Sequence, residues 1–108
     1  AYDYFTSQIT ADVLKIELDL GWVFKAGKNP VDIFKQNKGR IPMLHVKDMT
    51  ATGDIVPFGN GVYNFKETFK NLDIAGVEYF FIEQDFPKNP FDDIVTSMNN
   101  FNQFKKTL

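Results

Sequence analysis

The chain has 108 residues, enough for one compact unit with a core of its own and too few for two. Hydrophobic residues make up 44% and charged residues 24%, and the net charge of −2 gives no electrostatic reason to expect nucleic acid or an anionic membrane as partner. The absence of cysteine excludes disulfides and thiol catalysis and leaves the redox compartment open, and no apolar stretch approaches the ~20 residues of a membrane span.

The chain opens at Ala1 with neither Met nor a signal-like segment, and reads as a processed product or a piece of something longer. Tyr2, Phe5 and Ile9 recur at helical spacing before Thr10 and Ala11 interrupt them. Val13 to Leu20 predicts a strand, its apolar residues alternating with Lys15, Glu17 and Asp19. Gly21 to Gly27 reads as loop. Asn29-Pro30 opens a helix, with Asn as N-cap and Pro at the first helical position. Val31, Ile33 and Phe34 form its apolar face, and Lys38-Gly39 ends it.

Ile41 to Val46 predicts a second strand, apolar enough to be buried on both faces. A long connection follows, Lys47 to Tyr63, with turn signals at Gly53-Asp54 and Gly59-Asn60-Gly61. Asn64 caps a predicted helix from Phe65 to Ile74, stopped by Gly76, and Val77 to Ile82 forms a third strand. Beyond Pro87 and Pro90, Phe91 to Lys106 predicts an amphipathic helix with Ile94, Met98, Phe101 and Phe104 along one side. This order, a helix and then strand and helix three times over, predicts an α/β domain spanning residues 1–108, with a parallel sheet built from right-handed βαβ units.

Three residues close the predicted strands: Asp19, His45 (the only histidine) and Glu83. In parallel sheets chemistry gathers at the carboxyl edge, where the βα loops are free to vary. Carboxylate and imidazole donors together suit a divalent cation: Mn²⁺, Zn²⁺, Co²⁺ or Mg²⁺. On spacing alone a lone strand-end histidine is more often a hydrogen-bonded structural residue, and strand-end acids commonly cap the helices after them. Lys47 follows His45 by two and points to the same side of its strand. It binds a substrate oxygen or phosphate, or pairs with a nearby acid. Asp48 faces the outer layer as a structural residue, and Gly59-Asn60-Gly61 is a tight turn, too short for a phosphate cradle.

Five stretches carry a resemblance: Glu17 to Trp22, Lys25 to Pro30, Gly39 to Met49 with its Leu-His-Val-Lys-Asp, Phe58 to Val62, and Ala75 to Asp85 with its Ile-Glu-Gln-Asp. In this order they resemble the C-terminal part of the xylose-isomerase-like TIM barrels, the sugar phosphate isomerase/epimerases. Tyr2-Asp3-Tyr4 is similar to the helix before the sixth barrel strand. The resemblance implies a partial (β/α)8 barrel, the last three βα units of a domain of ~250 residues. It also implies one divalent metal ion held by four residues in the order Glu, Asp, His, Glu. Asp19, His45 and Glu83 match the last three, and the first Glu lies upstream of this chain. Trp22 falls where sugar epimerases of that family often carry a substrate-contacting His; it stacks on a sugar ring or closes the barrel mouth as a loop aromatic. The Arg that those epimerases carry shortly after the His strand has no counterpart here.

The activity implied is isomerisation or epimerisation of a sugar or sugar phosphate, by proton abstraction next to a carbonyl through an enediolate. Glu83 is then one of the two acid/base carboxylates as well as a ligand. β-Elimination or hydration on a 3-keto-glycoside starts with the same abstraction and is the alternative enzyme; DNA repair on this barrel is disfavoured for want of further histidines and a basic surface. The expected partners are a small-molecule sugar and no nucleic acid or membrane. A third reading is non-catalytic: a half barrel that assembles as a homo-oligomer through open strand edges.

Overall fold

The computed structural model describes residues 2–108. The elements, in chain order, are α1 (Tyr2–Gln8), β1 (Glu17–Asp19), α2 (Leu20–Lys25), α3 (Pro30–Gln36), β2 (Met43–Val46), β3 (Asp48–Met49), β4 (Ile55–Val56), α4 (Lys66–Phe69), α5 (Leu72–Ala75), β5 (Tyr79–Ile82) and α6 (Pro90–Lys105). The predicted α/β class is what is found. Three parallel strands run in the order β1-β2-β5, so consecutive βα units lie side by side. Register aligns Leu18 with Leu44 and Phe80, and Asp19 with His45 and Phe81. None of the described helices is long and apolar enough to cross a membrane.

Several predicted elements are altered. The first strand covers only Glu17–Asp19: Val13 and Leu14 both donate to the Thr10 carbonyl, which winds the preceding residues into a turn and leaves Val13 exposed. The predicted loop at 21–27 is mostly helix. Asp19 Oδ1 accepts the Trp22 N–H at 3.2 Å, and Leu20, Val23 and Phe24 then fall on one face of α2. Gly21 is required there by contact, because a Cβ would lie 2.7 Å from the Lys47 carbonyl oxygen. The predicted helix 65–74 is two short ones, broken at Asn71, whose side chain bonds back to the Glu67 carbonyl at 2.8 Å. The connection 47–63 contains the antiparallel pair β3-β4. The α3 cap forms as expected: Asn29 Oδ1 accepts the Val31 N–H at 2.9 Å, with Pro30 at the first turn.

The core lies on one side of the sheet. Leu18, Leu44 and Val46 meet Leu20, Val23, Phe34 and Ile41, beside an aromatic cluster of Phe58, Phe65, Phe101, Phe69 and Phe104. Such ring pairs add about 0.5–1.5 kcal/mol each beyond their buried area. The other face carries Glu17, Asp19, Met43, His45, Tyr79 and Phe81, and it is open. Burial of the second strand on both faces is therefore corrected: Met43 and His45 are half-buried, and on the same open face of the apolar third strand Tyr79 is 64% exposed. Helices cover only one side. Likewise Phe101 of α6 is buried while Ile94 and Met98 on its predicted apolar side stay exposed.

Two polar residues hold the loops. Arg40, 8% exposed, donates to the carbonyls of Thr6 (2.7 Å), Leu14 (3.0 Å) and Ile9. It ties down α1, which buries no residue of its own. Asp48 is buried, and its carboxylate accepts backbone N–H groups from Met49, Gly59, Gly61 and Tyr63 at 2.9 to 3.4 Å. Gly61 is needed there, since a Cβ would fall 2.1 Å from Asp48 Oδ1. The structural reading of Asp48 and the turn reading of Gly59-Asn60-Gly61 agree with this geometry.

Candidate metal centre

Side chains alternate along a strand, so on three aligned strands the residues at one level and one parity share a face. Asp19 on β1 pairs in register with His45 on β2. Glu83 follows β5, and its N–H donates to the Val46 carbonyl at 3.1 Å. All three project onto the open face at the carboxyl ends of the strands. One ligand atom from each lies within 4.8 Å of the others. Sequence reasoning placed these three residues together, and the register does so.

His45 sits between two carboxylates, its Nδ1 2.5 Å from Glu83 Oε2 and its Nε2 2.6 Å from Glu17 Oε1. The Phe81 ring stands edge-on to the imidazole at 6.0 Å. Glu83 Oε2 is buried and, despite the short approach of Nδ1, has no aligned hydrogen-bond donor. An imidazole and carboxylate oxygens gathered this closely form the mixed nitrogen and oxygen donor set that a divalent cation takes. Ligands at about 2.0–2.2 Å from a metal stand ~3 Å apart when adjacent, so small side-chain rotations complete a shell. The residues fit a divalent ion.

Lys47 is also in the cluster. Its ammonium lies 2.8 Å from Asp85 Oδ2, 2.9 Å from Asp19 Oδ2 and 3.5 Å from Glu83 Oε2, with its side chain only 4% exposed. Burial works against its charge, but the hydrogen bonds to Asp85 and Asp19 outweigh this and hold its pKa above the ordinary lysine range. Lys47 is therefore a fixed cation and unsuited to act as a base near neutrality. Of its two predicted roles, pairing with a nearby acid is the one observed. Asp19 does both things open to it: Oδ1 caps α2, and Oδ2 faces the cluster. Trp22 is half-exposed beside it, with Lys25 Nζ 4.6 Å and Lys47 Nζ 5.8 Å from its ring. The ring is thus an exposed aromatic at the rim of the cluster.

Glu17 and Asp85 were not singled out from the sequence. Each stands two positions from a strand-end acid, Glu17 before Asp19 and Asp85 after Glu83, so the period of two along a strand was the available signal. The geometry thus defines an α/β unit with an acid, histidine and lysine cluster at the carboxyl edge of a parallel sheet. No protein-family model and no curated protein matches the chain.

Proposed function

We propose that this chain is part of a divalent-metal-dependent sugar or sugar-phosphate isomerase or epimerase, in which it forms three consecutive βα units of a (β/α)8 barrel. The observation that carries the reading is the convergence of Asp19, His45 and Glu83, one ligand atom from each lying within 4.8 Å of the others. The resemblance to xylose-isomerase-like barrels supports it, as does the exposed sheet face, which a closed barrel would turn inward. Asp19 Oδ2, a ring nitrogen of His45 and Glu83 Oε2 would hold Mn²⁺, Zn²⁺, Co²⁺ or Mg²⁺. Bound there, the ion supplies Lewis acidity toward a carbonyl and its neighbouring hydroxyl.

Glu83 takes the proton from the carbon beside that carbonyl; in isomerisation it returns it to the neighbouring carbon, and in epimerisation a carboxylate on the opposite face of the substrate delivers a proton there. Its second oxygen has no partner among the described residues and is free for this task. Lys47 stays charged and steadies the negative charge that develops, while Trp22 offers a ring face to the sugar. The upstream Glu of the implied ligand set completes the acid/base pair.

The test is turnover with Mn²⁺ on aldoses, ketoses and their phosphates, using a chain that includes the upstream strands. Glu83→Gln is expected to lower kcat by about 10²–10⁴-fold, the usual contribution of a positioned general base, with an unchanged circular dichroism spectrum. Unchanged turnover refutes the role of Glu83. Products also separate the enzyme readings: an isomer conserves substrate mass, whereas a 3-keto-glycoside lyase releases an aglycone.

A second reading rests on the open sheet. Strand β5 ends the sheet among the described residues, and a groove of about 530 Å³ runs between it and α6, lined by Phe80, Ile82, Ile94 and Met98. Phe86 and Phe91 are almost wholly exposed beside it. Open edges and apolar surface of this kind favour pairing between chains, with or without catalysis. The expected result is an apparent mass above 12.4 kDa in size-exclusion chromatography with light scattering. A well-folded monomer at all concentrations removes the assembly reading.

A further inference from the structure

The acid cluster already holds a cation. Asp19 has one carboxylate oxygen to give, because Oδ1 is committed to the Trp22 N–H, and the remaining Oδ2 is the atom that Lys47 Nζ touches at 2.9 Å. A divalent ion on Asp19 and Glu83 therefore meets the lysine first. Lys47 is held beside them, its side chain only 4% exposed and its backbone packed on Gly21, where a Cβ would lie 2.8 Å from Lys47 Cβ. The ammonium lies within 3.5 Å of Asp19, Glu83 and Asp85, so a small pivot shifts it among them. Asp85, in the loop after β5, contacts Lys47 at 2.8 Å and has no other hydrogen-bond or ion-pair partner among the described residues.

We propose that Lys47 is the resident counter-cation of this site and that Asp85 is a positioning residue, which retains the ammonium when Asp19 and Glu83 engage a divalent cation. This rests on the metal reading above and adds a regulation to it: the site exchanges one cation for another, and Asp85 sets how easily. Like-charge repulsion at a few ångströms is substantial at a partly buried site, so where the ammonium rests governs affinity for the ion.

Titration with Mn²⁺, followed by calorimetry, tests it. Lys47→Met removes the competitor and is expected to tighten Mn²⁺ binding by about tenfold, within the range of couplings between contacting residues. Asp85→Asn leaves the ammonium on Asp19 and Glu83 and is expected to weaken binding by about the same factor. In the double variant the Asp85 effect should vanish, because no ammonium remains to be placed. Should Lys47→Met fail to fold without metal, Asp85→Asn decides alone, since its side chain is partly exposed and leaves no unpaired buried charge. Mn²⁺ uptake by the wild type with unchanged affinity in Asp85→Asn overturns this proposal and spares the metal site. No uptake by any variant overturns both.

Discussion

His45→Ala is expected to weaken Mn²⁺ or Zn²⁺ binding by more than ~100-fold while leaving the protein folded. Loss of an outer partner of a metal ligand alone costs about 10–100-fold, and the only nitrogen donor of the cluster contributes more than that. His45 is also central: it contacts Glu83 at 2.5 Å and Glu17 at 2.6 Å, so its removal separates the carboxylates as well as deleting a ligand. Stability should move little, because ion pairs that are a third or more exposed are worth only about 0–1 kcal/mol. Both side chains of each pair are in that range. The readouts are calorimetric titration with the ion and a thermal melt without it. Equal affinities in wild type and variant would show that the convergence is an ion-pair cluster and not a metal site. A large drop in melting temperature with no change in affinity would make His45 a structural residue.

The largest effect on folding is expected from Asp48→Ala. Four backbone N–H groups converge on one buried carboxylate, and they belong to β3 and to the turn that returns the chain to α4. Hydrogen bonds to charged groups contribute about 1.5–3 kcal/mol each, and buried donors left without an acceptor cost their desolvation as well. Because the four act as a unit, their sum is not additive. A net loss of roughly 3–4 kcal/mol is the expected outcome, against a total stability of about 5–15 kcal/mol for a domain. For a chain of this size that is about 15–25 °C in Tm. Asp48→Asn keeps the shape but turns an amide toward N–H donors, and it should recover only part of the loss. Chemical denaturation of the three proteins measures it. A loss below about 1 kcal/mol for Asp48→Ala would mean that the 59–63 turn holds itself.

The βαβ order was legible because the apolar runs at 41–46 and 77–82 are bounded by turn residues and separated by helical spacing. Caps were legible where a side chain acts on its own neighbours, as Asn29 does on Val31. The helix after β1 was not, since Gly21 and Gly27 imitate a loop; Gly21 is there because α2 presses against the end of β2, a contact made 26 residues away in sequence. The break at Asn71 was hidden for the opposite reason: Phe65, Phe69 and Leu72 keep helical spacing across it, while the side chain of Asn71 redirects the backbone. Within the site, Asp19, His45 and Glu83 could be named because each ends a strand. Glu17 and Asp85 could not be weighted, since an acid beside another acid is ordinary on a solvated edge.

What the sequence by itself determined is local and periodic: which segments are strands or helices, which carboxylates and imidazole stand at strand ends, and, from the absence of cysteine and of long apolar runs, which chemistries are excluded. Only the tertiary structure decided which of those groups touch. Register between β1, β2 and β5 sets Asp19 level with His45, and a slip of one residue would turn either side chain into the helical layer. The same register delivers Lys47 to three carboxylates, one ending β1 and two following β5, and so makes it a fixed cation, which no local pattern specifies. Approaches between residues 26 to 64 positions apart depend on how strands align, and that alignment is settled by the packing of Leu18, Leu44 and Val46 against the helices beneath them.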